Sequence, residues 1–159
     1  MKNAMTVSAI AMILGISGIA VGAADLPYDG NGHLMLDPAE LKWSEVASMA
    51  PPAQIAVIEG NLAEKEPFTF RLKLPAGYQI DPHTHPAFER VTVISGTLHF
   101  AEGETFSRDK TTALSQGAVA IMPPEAPMYG YVEEDTVIQV HGVGPWGIEY
   151  INPKDDPRG

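Results

Sequence analysis

The chain has 159 residues, which fits one domain and is too short for a TIM barrel or a two-domain dehydrogenase. It carries 20 acidic and 10 basic residues, and a net charge of −10 would repel the phosphate backbone of a nucleic acid. It contains no cysteine, which excludes disulfides, thiolate metal sites and cysteine nucleophiles, while its 15 glycines and 14 prolines disfavour a helical bundle.

The first 23 residues are predicted to be a secretory signal peptide. Lys2 supplies the positive charge, the run from 9 to 21 is mostly apolar, and Ala23 and Ala24 are small residues suited to a cleavage site. The alternative is an uncleaved membrane anchor, which the shortness of the apolar run and its glycines disfavour. Cleavage after Ala23 leaves a single domain, 24–159, in the periplasm or outside the cell and free of the membrane.

The mature chain is predicted to begin with an irregular segment and to continue as a series of short strands. Asp37 and Pro38 have the residue types of an N-cap and a first helical position, so one short helix is expected before Pro51. About eight strands follow, with glycine, proline or acidic turns between them. They are predicted at 54–59, 68–74, 90–95, 97–100, 118–122, 128–132, 136–142 and 147–151. No helical pattern separates them, so the expected fold class is all-β, a sandwich or a small barrel.

Three residues of the types that bind metal ions lie close together: His83, His85 and Glu89. On an extended strand, residues two apart face the same side about 6.6 Å from each other, so both imidazoles can reach one ion. The break at 86–88 lets the chain return the carboxylate to the same point. This ligand set is that of non-haem Fe(II) sites that activate oxygen, and it also suits Mn, Ni or Zn. The alternative is that the two histidines belong to a solvated turn.

The glycines around this cluster have the spacing of the first motif of the cupin family. Gly77 stands five residues before His83, and Gly96 stands six residues after Glu89, so every fixed position of that motif is matched. The sequence therefore resembles a single-domain cupin over about residues 30–158. The tail is similar to that of small exported cupins in three segments, which are 144–146, 150–153 and 156–158.

The resemblance implies an antiparallel jelly-roll β-barrel with a divalent metal ion, Fe, Mn, Ni or Zn, inside its mouth. It carries the ligand roles over to His83, His85 and Glu89. Cupins support dioxygenase, isomerase and lyase chemistry from nearly the same ligands, so the motif does not choose the reaction. The expected partner is a small molecule, and pairing through barrel faces into a homodimer is a further implication. The alternative function is a non-catalytic periplasmic protein that binds or senses a small molecule.

The second cupin motif is only half present. Gly117 and Pro123 match it, but Glu125 stands at a glycine position, Met128 at the position of a fourth metal ligand, and Val132 at an asparagine position. Three alternatives follow: three protein ligands suffice, another side chain replaces the missing histidine, or the barrel binds something other than a metal. The thioether of Met128 suits copper(I) better than Fe(II), Mn(II) or Zn(II), and its alternative role is to fill the barrel.

His141 is the candidate replacement ligand. If the turn before its strand is formed by residues 134 and 135, His141 pairs directly with Met128; a turn one residue earlier pairs Gln139 with Met128 instead. The alternative is that His141 is a hydrogen-bonded wall residue. Trp146 is expected in the core or at an interface rather than in a ligand site.

Overall fold

The computed structural model describes residues 27–159. The expected signal peptide, 1–23, lies outside these residues and stays a prediction. In the described part of the chain, no helix has the length and apolar character needed to cross a membrane.

The described residues form eleven β-strands and three single turns of 3-10 helix. The strands are β1 (Ser44–Glu45), β2 (Gln54–Glu59), β3 (Pro67–Leu74), β4 (Gln79–Thr84), β5 (Glu89–Ser95), β6 (Thr97–Glu102), β7 (Thr112–Ser115), β8 (Val119–Met122), β9 (Met128–Tyr131), β10 (Thr136–Val143) and β11 (Glu149–Tyr150). The helical turns are Pro38–Glu40, Arg108–Lys110 and Pro153–Asp155. The first of these is the short helix expected after Asp37, whose side chain caps it by accepting from the Ala39 N–H at 2.8 Å.

The strands make two sheets, in the orders β1-β2-β3-β10-β5-β8 and β11-β4-β9-β6-β7, and all neighbouring strands within them are antiparallel. This confirms the predicted all-β class and the antiparallel jelly-roll arrangement. The strand count is higher than predicted because β1, β4 and β7 are not among the eight predicted strands, although His83 in β4 was considered on an extended strand. β4 carries Asp81-Pro82, which is typical of a turn, and its pairing with β9 is irregular between Ile80 and His83.

The core lies between the two sheets and follows the alternation in the sequence. In β3, Phe68, Phe70, Leu72 and Leu74 are buried, while the residues between them face outward. Each such side chain stabilises the fold by about 1.5–3 kcal/mol when fully buried. Residues from both sheets form one hydrophobic cluster, and several of them also line the cavity described below.

The motif glycines occupy tight turns. Gly77 and Gly96 have φ values of 81° and 77°, a backbone region that favours glycine. At Gly96 a Cβ atom would also collide with the Thr136 side chain and lie 2.8 Å from the Asp135 carbonyl oxygen. Gly96 therefore allows the tight turn between β5 and β6 to pack directly against Thr136, the first residue of β10.

Candidate functional site

The three residues singled out by the first motif line one cavity between the sheets. This cavity has a volume of about 40 Å³, and its other lining residues are mainly apolar. His83, His85 and Glu89 are only 6%, 3% and 5% exposed. A water molecule needs about 10–15 Å³ by the same kind of measure, so the cavity has room for an ion with one or two small ligands.

The two sheets present the three side chains from opposite sides. His83 lies in β4, and His85 follows the end of that strand, with the half-buried Thr84 between them. The chain then leaves this sheet through the irregular residues 86–88 and enters the other sheet at Glu89, the first residue of β5. The carboxylate therefore faces the two imidazoles across the cavity. The break at 86–88 was expected to return the carboxylate to the histidines in this way.

Backbone carbonyls orient both imidazole rings. The His83 Nδ1–H donates to the Asp81 carbonyl oxygen, and the His85 Nδ1–H donates to the Gly147 carbonyl oxygen, each at 2.6 Å. A carbonyl oxygen can only accept, so each Nδ1 carries a proton, and Nε2 is the ring nitrogen left for a metal ion once it carries no proton. Hydrogen bonds of this kind fix the ring that a metal ion binds through its other nitrogen.

The protonation of the two histidines differs. Burial and the neighbouring His85 lower the pKa of His83 to about 4, so its ring is neutral at pH 7. Burial also lowers the pKa of His85, but the hydrogen bond and negative charge of Glu89 outweigh this effect, so that pKa is raised. The His85 Nε2 and Glu89 Oε2 atoms are 3.3 Å apart, so the carboxylate stabilises a proton on Nε2 that a bound metal ion would displace.

The donor set suits a metal ion chemically. Two ligand atoms that each lie about 2.1 Å from one ion are about 2.9–3.4 Å from each other, depending on the angle at the ion. The separation of 3.3 Å between His85 and Glu89 falls in that range. Within residues 27–159, however, no three His, Asp or Glu side chains are already placed as a cation site. Binding an ion at all three therefore requires a side-chain adjustment.

His141 does not line this cavity, and both predicted alternatives, in which His141 or Gln139 pairs with Met128, are wrong. β10 lies between β3 and β5, so His141 stands opposite Thr69 and Arg90. Its neighbour Val140 is buried in the core, and His141, which does not line the cavity, faces the other side of the sheet. The prediction assumed a hairpin between 128–132 and the next strand, but the chain crosses there from one sheet to the other.

Met128 occupies the position that the second motif assigns to a histidine. It is 2% exposed, it lines the cavity, and it pairs directly with His83 across β4 and β9. In the preceding loop, Glu125 stands at the motif's glycine position and has a φ of 62°, a backbone region that favours glycine. The Glu125 N–H donates to the His85 carbonyl oxygen at 2.9 Å.

Sequence reasoning missed three residues of the cavity wall. Met49 comes from the irregular N-terminal segment, and Met122 pairs directly with Glu89 across β5 and β8. Trp146 stacks on the His85 ring, with ring centroids 4.8 Å apart at 19°. The Trp146 Nε1–H is buried without a hydrogen-bond partner in the protein. The only sequence signal for any of these was the Gly-Pro-Trp segment of the cupin-like tail.

A larger cavity of about 370 Å³ lies beside the first, among residues of β6, β8 and β9. Phe100, Met122 and Met128 line both cavities and so form the wall between them. The inner cavity can hold an ion, while only the outer one has the volume for an organic molecule of several atoms.

Comparison with known proteins supports the fold. The sequence matches no protein-family model, and it matches no curated protein. Among solved structures, the polyketide cyclase RemF from Streptomyces resistomycificus aligns with a TM-score of 0.65, at 13% identity over 80% of this chain and 91% of its own. An RmlC-like cupin from Shewanella frigidimarina aligns with a TM-score of 0.56, at 11% identity over 70% of this chain and 91% of its own.

A third structure is that of an established enzyme. Salicylate 1,2-dioxygenase from Pseudoaminobacter salicylatoxidans, solved as adducts with gentisate, aligns with a TM-score of 0.53 at 15% identity. The alignment covers 66% of this chain but only 30% of that enzyme. At these identities the likeness concerns the fold and leaves the activity open. By its fold, the protein is similar to the RmlC-like cupin and to the other two structures.

Proposed function

We propose that the protein binds a divalent metal ion at His83, His85 and Glu89 and acts through it on a small molecule. One observation carries this proposal: two imidazoles held through Nδ1, which leaves Nε2 for a metal ion, and one carboxylate line the same buried cavity. Fe, Mn, Ni and Zn are the expected ions. A bound ion would supply Lewis acidity or an oxygen-binding centre.

The chain's own groups would orient and confine the ligands. The carbonyl oxygens of Asp81 and Gly147 hold the rings by their Nδ1 atoms, and Glu89 supplies the only carboxylate among the cavity-lining residues. Trp146 covers one face of the His85 ring and prevents it from turning. The apolar wall excludes water, which strengthens the electrostatic interactions inside the cavity.

Metal analysis of the purified protein tests the proposal. We expect His83→Ala and Glu89→Ala each to remove most of the bound divalent metal while the β-type circular dichroism is retained. His141→Ala is the matched control, because this histidine lies on the outer face of the same fold and should leave the stoichiometry unchanged. Unchanged stoichiometry in both cavity variants would rule the site out.

The alternative function, binding or sensing without catalysis, is supported by a specific observation. Met128 stands where a fourth ligand is expected, and the inner cavity is too small for an organic substrate. Oxygen uptake by the metal-loaded protein with small acids or phenols separates the two functions. Turnover that Glu89→Ala abolishes would establish the enzyme, whereas ligand binding without turnover would favour the binding protein.

Export to the periplasm or the exterior is also part of the proposal. It rests on the charged start, apolar run and small residues of the first 23 positions. Such a location would give the site access to metal ions outside the cytoplasm.

A further inference from the structure

Methionines are concentrated around the candidate metal site. Residues 27–159 contain four methionines, and three of them, Met49, Met122 and Met128, line the inner cavity. The fourth, Met35, is 75% exposed and lies elsewhere. Of the side chains that commonly wall an apolar cavity, methionine is the one that also offers a sulfur atom to an ion.

Two of these methionines are direct cross-strand partners of the proposed ligands. Met128 pairs with His83 across β4 and β9, and Met122 pairs with Glu89 across β5 and β8. Directly opposed residues on one face of an antiparallel pair have Cβ atoms about 4.5–5.5 Å apart. The methionine side chain has three rotatable bonds, so its sulfur can turn toward a point that the opposed ligand also reaches.

We propose that the site is selective for a soft monovalent ion, copper(I), and that Met128 supplies a thioether ligand beside His83 and His85. This inference rests on the proposed ligand residues, His83 and His85, but departs from the divalent ions proposed above in the ion that the site prefers. Thioethers favour copper(I) over hard or borderline divalent ions, and neutral imidazoles suit copper as well. The missing histidine of the second motif is then a change of ligand type rather than the loss of a ligand.

The charge of the cavity favours the same ion. Glu89 is the only acidic residue that lines the cavity. The other lining side chains are apolar, except for the two imidazoles, the Tyr129 hydroxyl and the Trp146 indole N–H. A monovalent ion beside one carboxylate and neutral ligands leaves no net charge, whereas a divalent ion leaves one positive charge. Burying an uncompensated charge in apolar surroundings is unfavourable.

Paired affinity measurements on the full mature protein test the proposal. Copper(I), kept reduced with ascorbate, and the redox-inert soft ion silver(I) are compared with Zn(II) by competition titration. Met128→Leu removes the sulfur but nearly keeps the volume, and Leu–Met exchanges are well tolerated in cores. We expect this variant to lose at least tenfold in copper(I) and silver(I) affinity while Zn(II) affinity changes by less than about twofold. Met35→Leu is the matched control and should match wild type with every ion.

A structural readout accompanies the titrations. The X-ray absorption spectrum of the copper(I)-loaded protein should contain a sulfur neighbour that Met128→Leu lacks, with circular dichroism showing that both proteins are folded. Wild-type affinities for copper(I) and silver(I) in Met128→Leu, or no sulfur neighbour in wild type, would overturn the inference and leave Met128 as a filler of the barrel. Failure of the copper(I) inference would leave the proposed metal site standing if His83→Ala lost Zn(II) affinity. The metal site itself would be refuted if His83→Ala bound every ion with wild-type affinity.

Discussion

Met128→His would restore the fourth ligand of the cupin motif, and its effect can be worked out from the structure. The residue is 2% exposed and lies opposite His83 in the cavity wall. A new imidazole there has no hydrogen-bond partner without a metal ion, and an unsatisfied buried polar group costs about 1–3 kcal/mol. At roughly 4 °C per kcal/mol for a domain of this size, Tm in a chelator should fall by about 4–12 °C.

Zn(II) or Ni(II) should reverse this loss. One additional imidazole is expected to tighten binding at least tenfold, which is about 1.4 kcal/mol. A ligand present at 100 times its Kd stabilises the native state by about 2.7 kcal/mol, enough to restore most of the lost stability. Copper(I) should gain less, because the variant replaces a soft ligand with a borderline one.

The assays are thermal unfolding with and without metal and isothermal titration of Zn(II), with His141→Ala as the control. His141→Ala should change little, since His141 faces away from the cavity. The reasoning is refuted if Met128→His binds Zn(II) as wild type does while His141→Ala loses tenfold or more. If neither variant changes anything, the cavity is not where metal binds and the binding function without metal gains support.

Three further predictions concern export, pH and backbone geometry. Protein purified from the periplasm should begin at Ala24 or Asp25, and an intact mass that includes the first 23 residues would contradict this. The pKa of His83 is lowered to about 4 in the folded state, so between about pH 4 and 6.5 the unfolded chain binds more protons than the folded one. The free energy of unfolding should therefore fall by up to about 3 kcal/mol on account of this residue as the pH is lowered from about 6.5 toward 4. The free energy of unfolding, measured with denaturant at pH 7 and at pH 4.5, should differ less between the two pH values for His83→Ala than for wild type. An equal difference would refute the lowered pKa of His83. Gly96→Ala should lower Tm by more than Gly77→Ala, because both glycines have positive φ but only Gly96 is also crowded; equal shifts would show that the crowding is relieved.

Local sequence patterns predicted the features that depend only on residues close together in the chain, which are the faces of the strands and the tight turn at Gly96. The alternation in β3 predicted its buried face, because successive side chains of any strand point to opposite sides. The two histidines came out on one side of the chain for the same reason. Gly96 marked a turn that only glycine can make without a collision. The first cupin motif combines these local rules, so it predicted both the fold and the three residues that line the cavity.

Only the tertiary structure decided what stands opposite those residues. Met128 faces His83, and His141 faces away, because the chain changes sheets between β9 and β10 rather than making a hairpin. Periodicity cannot reveal this, since a hairpin and a crossing between sheets have the same alternation on either side of the turn. Met49 and Trp146 reach the cavity from segments remote in sequence. Their placement depends on packing between sheets, which no spacing along the chain records.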